Sequence, residues 1–378
     1  GLAARPACAW AEQPEEAALE SDHAIRLFFE DVWPDARASG VSRRTFERAL
    51  AVVHVDWSIL ERANYQPEHE FAIGDYLARL ASDARVQAGR SLLSQHAATF
   101  AGVEQAYGVD RHMLAAIWGI ESNFGAGMGD YGVISALGML AWKGERRATF
   151  GRQQLIAALR ILERGDIEPA RMLGSWAGAM GHTQFIPTTY SLHAVDFDRD
   201  GRRDIWGTIS DALASTANYL KVSGWRTGLP WGFEVVVPDG FDDALLDRDL
   251  PMSEWARRGI ERPAPTSAAT EVEPSSGQTD ERWGPGPDRN SAGTPLSSPT
   301  WSAVTAVLRL PAGSTGPAFL VTGNFRAILR YNNATSYALA VGRLADRLAG
   351  AGPLVRSWPA DDRPLRRRER EELQELLR

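Results

Sequence analysis

Cysteine is nearly absent from this chain of 378 residues, where Cys8 is the only one. A disulfide framework within the chain is therefore excluded, as is a metal site built from several thiolates. No apolar run is long enough for a membrane-spanning helix, which needs roughly 20 residues. Basic residues do not dominate either, and the net charge of −7 argues against a nucleic-acid partner. These gaps predict a globular protein with no transmembrane segment.

Tryptophan, by contrast, is abundant, with 13 residues in the chain. Its large flat ring either packs in the core or stacks on a flat ligand such as a sugar ring. Hydrophobic residues make up 44% of the chain and charged residues 24%, which is the balance of an ordinary globular protein. Composition alone leaves both explanations of the tryptophans open.

The periodicity of apolar residues predicts a mainly α fold with a minor β element. From Asp22 to about Leu173 apolar residues recur every three or four positions, as on one face of a helix. Strand-like runs are short and lie at 233–237 and 318–321, and a helical pattern returns at 324–348. The short strand-like runs are therefore expected to form only a minor part of a mainly helical fold.

The two chain ends and one internal stretch differ from this pattern. Residues 1–21 form an N-terminal tail, in which Ala7 and Ala9 fit the small-x-small site left by a trimmed signal peptide. We do not expect lipid anchoring through Cys8, because Arg5 stands where a lipidation signal has an apolar residue. Residues 261–300 are rich in Pro, Ser, Thr and Gly, which predicts a disordered insertion.

Glu121 is the most informative acidic residue. Leu114, Ile117, Trp118 and Glu121 are spaced i, i+3, i+4 and i+7, so they share one face of a helix for which Asp110 is a suitable N-cap. A carboxyl on an apolar face is desolvated, which raises its pKa and suits it to act as a general acid. The alternatives are a buried Glu paired with an Arg and a Glu that bends out at the end of the helix. A formal G-x-G-x-x-G at 127–132 follows a helix, so no dinucleotide site is expected.

A second segment, 174–190, combines small residues with isolated polar ones. Glycines and alanines at 177–181 allow backbones to approach closely, while Ser175 and Gln184 are uncharged polar groups among apolar neighbours. Such groups suit hydrogen bonding to hydroxyl and N-acetyl groups. A tight helix crossing would use the same small residues, and the two roles are compatible.

An acidic loop at 196–211 follows the Ca²⁺-binding pattern of an EF-hand. Its oxygen ligands stand at positions 1, 3, 5 and 9, with glycine at 6: Asp196, Asp198, Asp200, Asp204 and Gly201. Arg202 stands at position 7, where the pattern contributes a backbone carbonyl. Position 12 is Gly207, and the next carboxylate is Asp211, so the loop is longer than usual. A structural cation, Ca²⁺ or Na⁺, is expected there; the alternative is an acidic turn that caps a helix.

Together these segments resemble the soluble lytic transglycosylase B family, periplasmic enzymes that cleave bacterial peptidoglycan. The resemblance covers about 71–250 and resumes at about 318–348. Its motifs are Glu-Ser-Asn-Phe-Gly at 121–125, Ser-Trp-Ala-Gly-Ala-Met-Gly-x-x-Gln-Phe-x-Pro at 175–187, the acidic loop, and Arg-Tyr-Asn-Asn-Ala-Thr-Ser-Tyr-Ala-Leu-Ala-Val at 330–341.

The resemblance implies a lysozyme-like catalytic domain with additional helical segments, and a role for each matching residue. Glu121 is then the single catalytic acid. The implied substrate-binding residues are Tyr76, Ser122, Phe124, Ser175, Gln184, Phe185, Tyr331, Asn332 and Tyr337. The implied cation ligands are Asp196, Asp198, Asp200, Arg202 and Asp211. With sugar stacking left to the tyrosines and phenylalanines, most tryptophans are expected to serve packing.

The implied reaction cuts the β-1,4 bond between N-acetylmuramic acid and N-acetylglucosamine and leaves 1,6-anhydromuramic acid ends, without a catalytic cofactor. The alternatives are a peptidoglycan hydrolase of lysozyme type and a non-catalytic wall-binding protein. A Ca²⁺ sensor is disfavoured because there is one acidic loop and only 6 Met. Exo and endo cleavage are not distinguished by the sequence.

The implied organisation is a catalytic domain at 22–250 and 318–350. Residues 363–378 resemble the first helix of a peptidoglycan-binding domain, with the remainder absent. The implied protein is an exported, periplasmic monomer whose partner is the glycan strand. Proteins of cell-wall synthesis or remodelling are further candidate partners.

Overall fold

The computed structural model describes residues 13–64, 71–263, 296 and 304–359, and the side chains among these from residue 23 onward. Several expectations fall on residues outside these ranges and stay predictions: the trimmed signal and Cys8 in the tail, most of the 261–300 insertion, and the 363–378 helix.

The helices account for most of the described chain, which confirms the predicted fold class. In chain order they are α1 (Gln13–Ala38), α2 (Arg43–Leu50), α3 (Ser58–Asn64), α4 (Ile73–Leu80), α5 (Asp83–Gln95), α6 (Ala97–Tyr107), α7 (Arg111–Ser122), α8 (Val133–Lys143), α9 (Ala148–Arg164), α10 (Pro187–His193), α11 (Ile209–Val222), α12 (Met252–Arg257), α13 (Gly323–Tyr331) and α14 (Thr335–Leu348). Among the described residues, none of these is both long and apolar enough to cross a membrane.

The strands form two small antiparallel sheets. They are β1 (Tyr131–Gly132), β2 (Leu173–Gly174), β3 (Gly232–Val235), β4 (Asp249–Pro251), β5 (Thr305–Arg309) and β6 (Ala318–Val321). β1 pairs with β2, and the other four form a sheet in the order β3-β6-β5-β4. The strand predictions at 233–237 and 318–321 are confirmed as β3 and β6. The predicted helix at 324–348 is two helices, α13 and α14, because the chain is extended at Asn332 and Ala334.

The described residues fall into two compact units, 1–66 with 125–212, and 67–124 with 213–378. In the first unit α8 is buried along nearly its whole length and packs against α9. The approach is close enough that a Cβ on Gly151 would lie 2.5 Å from the backbone nitrogen of Ala141. Glycine at 151 therefore sets the spacing of the two helices, since any side chain there would push them apart.

In the second unit α7 is buried between α5 and α14. The four-stranded sheet has its own core, in which Trp255 is fully buried and its indole N–H donates to the carbonyl of Ala306 at 2.9 Å. The expectation that most tryptophans serve packing is supported in part by the ten tryptophans that the structure describes. Five of them are less than 9% exposed: Trp118, Trp206, Trp225, Trp231 and Trp255.

Candidate active site

Helix α7 carries Glu121 in its last turn. The Asp110 carboxylate caps its start, accepting from the backbone N–H groups of His112 and Met113. The apolar residues from Met113 to Trp118 are buried in the core. Packing along the length of α7 therefore fixes the position of Glu121. The predicted N-cap and the buried face are both found in the structure.

The end of α7 is shaped by two residues in left-handed conformation. Asn123 has φ 48° and Phe124 has φ 59°, which side chains rarely adopt. The Phe124 ring turns back onto the helix and meets the Trp118 ring edge-on at 5.5 Å. It lies over Gly119 and Gly89, where a Cβ would come within 2.7 and 3.0 Å of it. Phe124 thus locks the turn that follows Glu121.

The carboxyl of Glu121 lies in a low-polarity environment. Burial raises its pKa to about 7, and a hydrogen bond from Tyr337 opposes this by stabilising the carboxylate. The Tyr337 hydroxyl donates to Glu121 Oε1 at 2.5 Å, and Tyr337 is only 3% exposed. Glu121 can therefore change its protonation state near neutral pH.

The negative charge of Glu121 affects the pKa of three tyrosines: Tyr76, Tyr331 and Tyr337. Burial raises the pKa of each, and the negative charge of Glu121 raises it further. Their hydroxyls therefore stay neutral at physiological pH and act as hydrogen-bond donors toward the carboxylate or a ligand. The structure brings these three predicted residues together around the predicted acid.

Tyr219 belongs to the same cluster but was not predicted. Its ring packs edge-on against Tyr331 at 5.0 Å, and its hydroxyl donates to the carbonyl of Arg330. Thr216, three residues earlier on α11, gives Tyr331 a side-chain hydrogen bond. The i, i+3 spacing of Thr216 and Tyr219 places them on one face of the helix. That face was visible in the sequence, but what it packs against was not.

Asn332 is exposed at the end of α13, one residue after Tyr331. The extended stretch between α13 and α14 places Tyr337 in the first turn of α14. The Tyr-Asn motif therefore provides one exposed amide beside two tyrosines, Tyr331 and Tyr337, that face the acid.

Ser175 and Gln184 lie in the first unit, in a loop closed by backbone hydrogen bonds. The Ser175 N–H donates to the carbonyl of Ala179 at 2.8 Å, and its hydroxyl accepts from the Ala179 N–H at 3.1 Å. The Gln184 amide donates to the carbonyls of Met128 and Gly181 at 3.0 and 2.9 Å. Gln184 therefore ties the 125–132 loop to its own loop.

Two predicted substrate-binding residues are buried. Ser122 is 1% exposed, and its hydroxyl donates to the carbonyl of Trp118 at 3.3 Å. Phe185 is 2% exposed. Neither side chain presents a surface to a sugar in this structure, because each residue is enclosed by its own unit. The burial of both side chains does not agree with a direct contact to a sugar.

The acidic loop brings three carboxylates together. One oxygen each of Asp196, Asp198 and Asp211 lie within 4.8 Å of one another. Asp196 Oδ1 is buried without a hydrogen-bond partner, which is unusual for a carboxylate oxygen. Burial raises the pKa of Asp211 to about 6, against hydrogen bonds from the N–H groups of Phe197 and Asp204. A cation would stabilise all three charges.

Two other acidic residues of the loop have local roles. Asp200 Oδ1 accepts from the Arg202 N–H at 2.8 Å, and Asp200 is not part of the three-carboxylate group. Asp204 Oδ1 accepts from the N–H groups of Trp206 and Gly207, so it closes the turn at the loop exit. The three-carboxylate group thus consists of the aspartates at positions 1 and 3 of the loop and the late Asp211.

A mainly helical fold that presents one desolvated carboxyl among tyrosine hydroxyls meets the requirements of acid catalysis on glycosidic bonds. A profile of the family described as "Transglycosylase SLT domain" matches residues 25–285 and 287–346 of the chain. The chain belongs to this family, and the predicted family is confirmed.

The chain is similar to several characterised members. The membrane-bound lytic murein transglycosylase B of Escherichia coli (strain K12) is 28% identical over 274 residues, covering 72% of this chain and 66% of that protein. The chain thus spans slightly less than two thirds of the length of that relative.

Solved structures give closer matches. SltB3 from Pseudomonas aeruginosa, in complex with NAG-NAM-pentapeptide, is 46% identical with a TM-score of 0.82, covering 93% of this chain and 87% of that one. A second SltB3 structure contains NAG-anhNAM-pentapeptide. The lytic transglycosylase Slt35 of Escherichia coli, in complex with calcium, is 26% identical with a TM-score of 0.65, covering 86% and 92% of the two chains.

Proposed function

We propose that the chain is a lytic transglycosylase that cleaves the β-1,4 bond between N-acetylmuramic acid and N-acetylglucosamine and leaves 1,6-anhydromuramic acid ends. The observation that carries this proposal is the Glu121 carboxyl, whose pKa burial raises to about 7 beside the Tyr337 hydroxyl. A carboxyl of that pKa is able both to donate and to accept a proton at neutral pH.

In the first step the protonated Glu121 donates its proton to the glycosidic oxygen, and the bond from that oxygen to muramoyl C1 breaks. The neighbouring N-acetyl group of the substrate stabilises the oxocarbenium-like centre. Glu121, now ionised, accepts the proton of the muramoyl C6 hydroxyl, whose oxygen attacks C1. One residue thus returns to its starting state, and no water is consumed.

Tyr337 fits a supporting role in this cycle. Its hydrogen bond stabilises the ionised form of Glu121, which exists between the two proton transfers. Burial alone would keep the carboxyl protonated and slow its first donation. The tyrosine therefore moderates the effect of burial without replacing the acid.

A hydrolase of lysozyme type is the second candidate, and it normally uses a second carboxylate. Among the described residues, Tyr76, Tyr331 and Tyr337 are groups whose pKa the charge of Glu121 raises, and none of these three is a second carboxylate. We propose that hydrogen bonds to the glycan come from Tyr76, Tyr331, Asn332 and Tyr337 of the second unit. The same role is proposed for Ser175 and Gln184 of the first unit. Neutral donors around Glu121 suit a reaction whose nucleophile belongs to the substrate.

The test is digestion of purified cell-wall sacculi by the protein, with mass spectrometry of the released muropeptides. We expect 1,6-anhydro ends, lighter by one water than reducing ends. Release of reducing ends in their place would make the protein a hydrolase, and binding without release would make it a wall-binding protein. Comparing intact with pre-cut strands then separates endo from exo cleavage.

Tyr337→Phe should move the alkaline limb of the pH–rate profile to higher pH. The hydrogen bond from Tyr337 lowers the pKa of Glu121, so its loss lets the carboxyl stay protonated to higher pH. The measurement is kcat/KM on sacculi from pH 5 to 9, with Tyr107→Phe in the same unit as the control. An unmoved limb would remove Tyr337 from the control of Glu121.

We further propose a structural Ca²⁺ held by Asp196, Asp198 and Asp211, with the Arg202 carbonyl and Asp200 as additional ligands. Support comes from the convergence of three carboxylates and the unpartnered Asp196 oxygen. Hard oxygen donors are what Ca²⁺ prefers. The ion would neutralise the repulsion within the loop and take no part in the reaction.

Ca²⁺ should raise the unfolding temperature, and a chelator should reverse the rise. At a concentration 100 times its dissociation constant the ion stabilises the folded state by about 2.7 kcal/mol. Asp198→Asn should remove most of this gain, while the exposed Asp239→Asn should leave it intact. An equal rise with Mg²⁺, or with the Asp198 variant, would contradict the site.

The proposed setting is the periplasm, where the substrate lies. The catalytic domain is proposed at 22–250 and 318–350, with glycan strands as the partner and proteins of wall remodelling as further partners. The reaction scheme uses only side chains of this protein and groups of the substrate, so no catalytic cofactor is proposed.

A further inference from the structure

Trp57 is an exception among the tryptophans, because it is 48% exposed. It precedes α3, and its ring lies 6.0 Å from that of Trp142, at an interplanar angle of 40°. Lys143 places its ammonium 4.8 Å from the centre of the Trp142 ring. We call Trp57, Trp142 and Lys143 the Trp57 surface; all three belong to the first unit.

The loop that carries Trp57 is fixed to α8. Ser135 is 2% exposed, and its hydroxyl accepts from the His54 N–H at 3.2 Å and donates to the Val52 carbonyl at 3.4 Å. Ser135 and Trp142 are seven residues apart, so they lie on one face of α8, about 10 Å apart. The loop therefore runs along this face, tied at Ser135 and ending at the tryptophan pair.

Helix α3 also connects the Trp57 loop to the strand pair next to the predicted Ser175 segment. At the other end of α3, the Arg62 guanidinium lies 5.9 Å from the centre of the Tyr131 ring. Tyr131 pairs in β1 with Gly174, the residue before Ser175. Tyr131 precedes α8, and Trp142 lies near the end of α8, about 14 Å along the helix axis from its first residue. Several linked sugars would span this length.

We propose that the Trp57 surface is an accessory binding site for peptidoglycan glycan strands, separate from the residues that contact the reacting bond. This inference rests on the proposed substrate class. A half-exposed indole offers a flat apolar face and an N–H donor, which matches the apolar face and hydroxyl rim of a pyranose. Lys143 supplies a cation for the carboxylates that the muramoyl peptides carry.

The size of the surface favours a glycan over a protein partner. A stable protein interface buries about 800 Å² on each side around an apolar centre. The Trp57 surface has one half-exposed indole and one partly buried indole, enough for one or two sugar rings. Weak, repeated contacts of this kind would hold the enzyme on an insoluble strand between cuts.

The main test compares Trp57→Ala with the full wild-type chain on two substrates. We expect the concentration of insoluble sacculi that gives half-maximal binding to rise about tenfold, as for loss of one stacking contact. Turnover of a short soluble fragment of two disaccharides should not change, since the proposed role of the surface is to hold long strands. Trp57→Phe, which keeps a flat ring, should bind sacculi more weakly than the wild type and more tightly than Trp57→Ala.

Phe71→Ala is the matched control, because Phe71 is 53% exposed beneath Arg79 and lies in the other unit. It should leave both measurements unchanged. Lys143→Ala should weaken binding to sacculi that carry peptides, and leave binding to strands stripped of peptides unchanged. Unfolding temperatures of all variants, measured in parallel, identify any loss of fold.

Three outcomes would overturn the inference. Sacculus binding unchanged in Trp57→Ala would remove the surface from glycan recognition. An equal loss on the short fragment would make Trp57 part of the catalytic cleft. A dimer that dissociates in Trp57→Ala with unchanged sacculus binding would make the surface a contact between copies. If the wild type binds sacculi through Trp57 without cutting them, the proposed reaction fails and the accessory site stands.

Discussion

Glu121→Gln is expected to lower the rate of sacculus cleavage by at least a thousandfold. Glutamine keeps the shape and the hydrogen-bond acceptor for Tyr337, yet it can neither donate nor accept the catalytic proton. General acid–base catalysis alone contributes about 10²–10⁴-fold, and in the proposed reaction one residue performs both transfers. The measurement is release of soluble muropeptides per unit time at neutral pH.

The control for this variant is Glu47→Gln, since Glu47 is an exposed carboxyl on α2. Its activity should equal that of the wild type. Glu121→Gln should still bind sacculi, because the tyrosines and the Trp57 surface are unchanged. Retained activity in a folded Glu121→Gln protein would assign the acid to another residue.

The same substitution is expected to stabilise the protein at high pH relative to the wild type. The pKa of Glu121 in the folded state is about 7, above the ordinary value of 4.5, so the folded state binds more protons than the unfolded state between these values. Stability of the wild type therefore falls as pH rises from about 4.5 to 7, and is constant outside that window with respect to this group. The total is about 3 kcal/mol.

Glutamine does not titrate, so the difference in unfolding temperature between variant and wild type isolates this effect. We expect the difference to grow in favour of the variant as pH rises from 4.5 to 7, and then to level off. Thermal unfolding followed by circular dichroism measures it, with Glu47→Gln again as control. A difference that does not vary with pH would mean that Glu121 is not desolvated.

The sequence reveals those parts of the site that depend on local spacing. Glu121 follows three apolar residues on one helix face, and Asp110 stands at the right distance to cap that helix. The Asp196–Asp211 loop has ligands at alternating positions with a glycine at the turn. In each case the relevant physics acts within about one dozen residues of chain.

Other parts of the structure depend on contacts between distant segments. Tyr219 became part of the site through its packing on Tyr331, which nothing in the sequence around either residue indicates. Strands β4 and β5 are short and flank the stretch rich in Pro, Ser and Thr. The alternation of apolar and polar residues along them was therefore too weak to predict them as strands. Phe185 was expected at a sugar because of its neighbours, whereas the fold encloses it.

The bond between Tyr337 and Glu121 joins residues 216 positions apart in the sequence. During synthesis the acid therefore leaves the ribosome long before the tyrosine that completes its surroundings. Until α14 docks on α7, the carboxyl lacks both the Tyr337 hydrogen bond and the burial that α14 provides. The order of synthesis thus ties the completed surroundings of Glu121 to a helix made more than 200 residues later, and a chain cut short before α14 would lack this hydrogen bond.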